Sequence, residues 1–134
     1  MKTAIFPGSF NPFHEGHKEV VEKALQIFDR VIVARGINPA KPPSDKWGAV
    51  KIPQGAIYAE FHGLLANYAK LANADAIIKG LRNGADLEYE AAQQQWNVEL
   101  GLTIPTVYII TSPMHRHISS SAIRQLEKFR KGKV

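Results

Sequence analysis

The chain has 134 residues, enough for one domain, residues 1–134, whose core needs neither disulfides nor metal to hold it together. Hydrophobic residues make up 45% and charged residues 22%, the balance of a soluble globular protein, and the lack of cysteine excludes disulfides, zinc–thiolate sites and thiol nucleophiles. The net charge of +5 favours anionic partners, but part of it lies in Lys128, Arg130, Lys131 and Lys133, and no basic stripe interleaved with aromatics runs through the chain, so nucleotides are favoured over nucleic acid.

Thr3 to Phe6 is a short apolar run ended by Pro7-Gly8 and reads as a first strand rather than a signal peptide or anchor. From about Gly16 to Phe28, apolar residues recur at Val20, Val21, Ala24, Leu25 and Phe28, a helical stripe. Val31 to Ala34 is a continuous β-branched run, suited to a strand covered on both faces. A loop containing proline and lysine follows from Asn38 and holds Lys41. Pro53-Gln54-Gly55 is placed to turn a small hairpin between Val50–Ile52 and Ile57–Phe61. Leu64, Leu65, Tyr68, Leu71 and Ala72 mark a helix, and Ala76–Ile78 a strand. Asp86 to Leu100 reads as another helix with Leu87, Ala91 and Val98 on one face, and Val107–Ile110 as a further strand. Ser119 or Ser120 caps a last helix that carries Ile123, Leu126 and Phe129 inward. This alternation predicts an α/β fold with a largely parallel sheet, whose ligands bind beyond the carboxyl ends of the strands. No apolar run approaches the roughly 20 residues needed to cross a bilayer, so a cytoplasmic protein with no membrane partner is expected.

The residues able to do chemistry fall at those carboxyl ends. Ser9 to His17 joins a strand to a helix; a Pro-Gly turn brings backbone N–H groups near a ligand, and the helix start adds a positive dipole end. Phosphate binding by this segment is the favoured reading, against a plain turn with incidental histidines or a metal pair formed by His14 and His17. The latter is disfavoured because i, i+3 spacing across Gly16 differs from the i, i+4 of helical zinc motifs. Lys79-Gly80-Leu81-Arg82 sets a point charge and a bidentate fork within one strand end. His115, Arg116, His117 and Ile118 lead into Ser119, Ser120 and Ser121, which offer hydroxyls and free N–H groups to a β,γ-phosphate. Glu90 and Tyr89 either meet a ribose or face solvent.

Together these residues resemble the phosphopantetheine adenylyltransferase family of HxGH nucleotidyltransferases, over Ile5 to about Leu126. Phe6-Pro7-Gly8-Ser9-Phe10-Asn11-Pro12 followed by Gly16-His17 is shared across that superfamily. More diagnostic are Ile78-Lys79-Gly80-Leu81-Arg82 with Ala85-Asp86-Leu87-Glu88-Tyr89-Glu90, similar to I-R-G-L-R…A-D-F-E-Y-E, and Leu64-Leu65-Ala66-Asn67-Tyr68-Ala69, similar to L-M-A-N-F-A. The resemblance implies a Rossmann-like nucleotidyltransferase fold, a mainly parallel five-stranded sheet with helices on both faces. It implies attack of 4′-phosphopantetheine phosphate on the α-phosphorus of ATP, giving dephospho-coenzyme A and pyrophosphate, with Mg²⁺ held mainly by the ATP phosphates. His17 and Lys41 would be catalytic. Ser9, Phe10, His14, Gly80, Leu81, Arg82, Glu90 and His115 to Ser121 would contact ATP, and Ser9, Lys41, Leu65, Lys79 and Asn97 the acceptor. Relatives form hexamers, so a homo-oligomer is expected. The chain departs from the family pattern at Lys79, which stands for an arginine, at Gln93, which stands for an apolar residue, and between Lys41 and Leu64, where Trp47 to Gln54 replaces a T-x-E-E-R helix. The family's further C-terminal helix, which follows the serine run by some distance, is not expected within these residues. Transfer to another acceptor, such as nicotinate or nicotinamide mononucleotide, and a non-catalytic nucleotide- or coenzyme A-binding module are the competing readings.

Overall fold

The computed structural model describes residues 1–40, 47–82 and 84–111, with Ala85 described by its backbone alone. Lys41, the segment His115 to Ser121 and the expected last helix lie outside the described residues. Five strands, β1 (Thr3–Gly8), β2 (Arg30–Ile37), β3 (Ala56–His62), β4 (Ala76–Leu81) and β5 (Thr106–Ile110), form one sheet of order β3-β2-β1-β4-β5. Every adjacent pair is parallel. The helices are α1 (Glu15–Ala24), α2 (Leu65–Leu71) and α3 (Gly84–Glu99). This is the expected α/β class.

Thr3 to Pro7 of β1 is buried throughout. Its pleat sends Ala4 and Phe6 into one core with Val20, Val21 and Ala24 of α1, and Ile5 into a second with Ala66 and Ala69 of α2. Coverage on both faces explains why Val31 to Ala34, all buried in β2, reads as an unbroken apolar run. The start of β1 is pinned from both sides. Lys2 donates its N–H to Asp29 Oδ2 at 2.7 Å, and Thr3 donates to Asp75 Oδ2 at 2.8 Å. Each aspartate returns its own N–H, Asp29 to Lys2 O and Asp75 to Thr3 O. Because these residues immediately precede β2 and β4, the exchanges set the registers Thr3↔Arg30 and Ala4↔Ala76.

The expected hairpin is not formed. Ala56–His62 is a strand, but it runs parallel to β2 from Val31↔Ala56 to Ile37↔His62. Val50 and Ile52 make no strand and pack against the α1-side core. Gly55, at φ 99°, turns the chain into β3, and Ala56 donates to Pro53 O. Alternating apolar residues mark a half-covered strand, but they do not say which neighbour it pairs with. Here β2 offered an open edge, and β3 took it.

Helix α3 has an unusual orientation. Its half-buried positions, Asp86, Glu90, Gln94 and Asn97, form a polar stripe, while Leu87, Ala91 and Val98 are exposed. The polar stripe faces polar partners: Thr106 Oγ1 donates to Gln94 Oε1 at 2.5 Å, Tyr108 Oη to Glu90 O at 3.4 Å, and Lys79 pairs with Glu90. Hydrogen bonding to β4 and β5 thus decides which face turns inward.

Replacing Asp75 with alanine removes the acceptor for the Thr3 N–H. Asp75→Ala is expected to lower the unfolding free energy by about 1–2 kcal/mol in urea titrations, and an unchanged midpoint would show that the exchange contributes nothing.

Candidate active site at the switch point of the sheet

Between β1 and β4 the order of connection reverses, and the carboxyl ends of these two strands open a cleft of about 420 Å³. The turn after β1 forms one wall. A Cβ on Gly8 would lie 2.9 Å from Phe10 Cζ, so glycine is required for the Phe10 ring to fold back over it. Phe10 has φ 46°, a left-handed conformation that costs an ordinary side chain about 1–2 kcal/mol. Its ring is almost fully buried and offsets that cost by packing edge-on against Phe6, Phe13, His17 and Trp47, with centroids 5.2, 5.6, 5.0 and 5.8 Å away. The Asn11–Pro12 peptide in the same turn is cis.

His14 and His17 are joined through the backbone of the first helical turn. The His14 N–H donates to His17 Nδ1 at 3.1 Å, and the Gly16 N–H donates to His14 Nδ1 at 3.1 Å. The rings stack at 3.7 Å. An Nδ1 that accepts carries no proton, so each neutral imidazole holds its hydrogen on Nε2. Burial, then His14 and Arg82, lower the His17 pKa to about 4; burial and then Arg82 also lower that of His14. At neutral pH His17 is therefore an uncharged donor at the cleft wall. A Cβ at Gly16 would lie 2.9 Å from His14 Cε1, so this glycine makes room for the capping ring. Both Nδ1 atoms are thus taken by backbone N–H groups, which leaves only the Nε2 side of each ring for any other partner.

The opposite wall comes from β4 and α3. Lys79 Nζ lies 3.8 Å from Glu90 Oε2, and Arg82 Nε lies 3.2 Å from Asp86 Oδ2, which also accepts the Arg82 N–H at 3.0 Å. Burial, and after it Glu90, raise the pKa of the Tyr108 hydroxyl. Gly80 lets α1 sit against β4, since a Cβ there would lie 2.8 Å from Val20 Cγ2.

Of the residues singled out in the sequence, Ser9, Phe10, His14, His17, Lys79, Gly80, Arg82 and Glu90 line this one cleft. Leu81 is buried behind it. Leu65 packs against the α2-side core, and Asn97 gives its carbonyl to the Leu102 N–H; neither is among the cleft's lining residues. Gln93 is exposed and bonded to Tyr89 Oη at 3.2 Å. Arg35 and Trp47 are not among the candidate site residues of the sequence, although both reach the β1 turn: Arg35 Nε donates to Ser9 O at 3.0 Å, and Trp47 stacks on Phe13 at 5.0 Å. A charge directly after the buried run Val31–Ala34, level with Gly8, was the available signal.

A family model described as cytidylyltransferase-like matches residues 5–126. Phosphopantetheine adenylyltransferase from Caldanaerobacter subterraneus subsp. tengcongensis is 38% identical, across 96% of this chain and 86% of its own. That from Cytophaga hutchinsonii is 42% identical, across 96% and 91%. The chain belongs to the phosphopantetheine adenylyltransferase family. Among solved structures, the lipopolysaccharide core biosynthesis protein from Thermoplasma volcanium GSS1 shares the fold, with a TM-score of 0.57 at 22% identity over 84% of this chain and 98% of that one. The resemblance carried by residues 64–69 and 78–90 thus named the family correctly.

The His17 pKa gives a signed expectation. An unfolded histidine titrates near 6.5 and the folded one at about 4, so the neutral ring's contribution to stability is whole above about 6.5 and is lost as pH falls towards 4. Imidazole NMR should place the His17 midpoint near 4; a midpoint at or above 6.5 would contradict the geometry.

Proposed function

We propose that the protein transfers the adenylyl group of ATP to 4′-phosphopantetheine, giving dephospho-coenzyme A and pyrophosphate. The observation that carries the reading is the neutral His17 Nε2–H at a cleft whose far wall holds Lys79 and Arg82. A phosphate monoester is already anionic and needs no general base. An acceptor oxygen attacks the α-phosphorus in line, the bond from that phosphorus to the β-phosphate oxygen breaks, and the electron pair leaves with pyrophosphate. The chain's task is positioning and charge stabilisation. His17 donates to an α-phosphate oxygen as negative charge grows there, Arg82 holds the triphosphate, and Lys79 faces the acceptor phosphate. Ser9 and the Phe10 N–H serve the phosphates from the β1 turn. Lys41 and His115 to Ser121 complete the proposed set.

Mg²⁺ would neutralise the triphosphate and the departing pyrophosphate. Glu90 and Asp86, the cleft carboxylates, are engaged by Lys79 and Arg82, so the ion fits as one carried by ATP rather than one caged by side chains. We further propose a cytoplasmic homo-oligomer, supported by the outward Leu87, Trp96 and Val98 of α3, which are 49%, 63% and 53% exposed. Sedimentation velocity should show a multimer that Val98→Asp shifts towards monomer; a wild-type monomer at micromolar concentration would refute this.

With ATP, Mg²⁺ and a panel of acceptors, pyrophosphate release is expected with 4′-phosphopantetheine. His17→Ala should lower kcat by about 10²–10³-fold with little change in ATP affinity, because the contact tightens in the transition state. Turnover with nicotinate or nicotinamide mononucleotide alone would reassign the acceptor, and ATP binding without any turnover would make the protein a binding module.

A further inference from the structure

We infer that Arg35 is a positioning residue: it holds the Ser9–Phe10 peptide so that the Phe10 N–H points into the cleft. The inference rests on the functional reading above only in taking a triphosphate as the ligand of that N–H. Arg35 lies opposite Gly8 in the β1–β2 register and opposite Glu60 in the β2–β3 register. Its Nε donates to the Ser9 carbonyl at 3.0 Å. A trans peptide is planar, and its C=O and N–H point in opposite directions. A Ser9 carbonyl drawn towards β2 therefore turns the Phe10 N–H away from β2. In the order β2-β1-β4 that is the side of β4, where Lys79, Gly80 and Arg82 line the cleft. The left-handed Phe10 accompanies this orientation of the peptide, held by the guanidinium on the carbonyl together with the packing of its ring.

Arg35 is itself steadied by two neighbours. Its guanidinium carbon lies 5.8 Å over the Trp47 ring. Its charge acts on the Tyr58 hydroxyl, which donates to Glu60 Oε1 at 2.6 Å. Trp47 is fastened in turn by stacking on Phe13 at an interplanar angle of 5° and by accepting the Phe13 N–H at 2.8 Å. The segment that stands in for the family's helix thus provides the floor on which Arg35 lies. Lysine could match the charge, but not the side-on Nε donor together with a plane that stacks.

The test uses the full chain as wild type, Arg35→Met and Arg35→Lys, with folding checked by near-ultraviolet circular dichroism. In ¹H–¹⁵N spectra, Mg·ATP should shift the wild-type Phe10 amide. In Arg35→Met the ligand-free Phe10 amide should already be displaced, its response to ATP should be lost, and the ATP Kd should rise about tenfold or more. Arg35→Lys should not restore either property, and it carries the same readouts if Arg35→Met fails to fold. A folded variant with an unmoved Phe10 amide and an ATP Kd within about twofold of wild type overturns the inference, as does a lower melting temperature with those two readouts unchanged. So does a wild-type Phe10 amide that ATP leaves unmoved. Lack of turnover with 4′-phosphopantetheine in a wild type whose Phe10 amide responds to ATP would sink the proposed reaction and leave the role of Arg35 standing.

Discussion

Both walls of the cleft depend on how β1 is held. Its first residues trade hydrogen bonds with Asp29 and Asp75, its side chains fill a core on each face, and its neighbours on both sides run parallel to it. A slip of one residue would exchange the two faces, sending Phe6 to the α2 side and Ile5 to the α1 side. The turn at Gly8 would then no longer meet Arg35, and the helix start at His14 would no longer stand across from Lys79. The accuracy of the site at one end of the strand is thus set by two carboxylates at the other.

The chemistry follows from what surrounds the turn. Aromatic rings exclude water from His17 and, with His14 and Arg82, keep it uncharged at physiological pH. An imidazolium would bind a triphosphate more tightly in the ground state; a neutral donor fixed through its other nitrogen has more to gain as charge develops. The cations proposed to attract phosphate, Lys79 and Arg82, are already steadied by Glu90 and Asp86. In the proposed reaction, attraction and transition-state stabilisation fall to different residues.

Much of this was legible in the sequence. Val31–Ala34 declared a strand covered on both faces, Pro7-Gly8 a strand end, and the spacing of His14, Lys79 and Arg82 along alternating elements put them at one edge of a sheet. Pairing was not legible, because a strand's alternation is the same whichever neighbour it joins; Ile57–Phe61 was assigned to Val50–Ile52 when β2 was its partner. Nor was the orientation of α3, where the usual preference for burying Leu87 and Val98 gave way to hydrogen bonds from Thr106 and Tyr108. Arg35 escaped for a third reason: its importance comes from the carbonyl it meets, and backbone atoms have no letter in a sequence.

The parallel order has a consequence for the newly made chain. The β1 turn and both histidines leave the ribosome early, yet one wall of their cleft comes from β4, and the Thr3–Asp75 contact spans 72 residues. Contacts that distant close slowly. Until Leu81 has emerged, the nascent chain holds the complete His14–His17 segment with nothing across from it, so the cleft takes shape only after β4 has followed β1, β2 and β3 out of the ribosome.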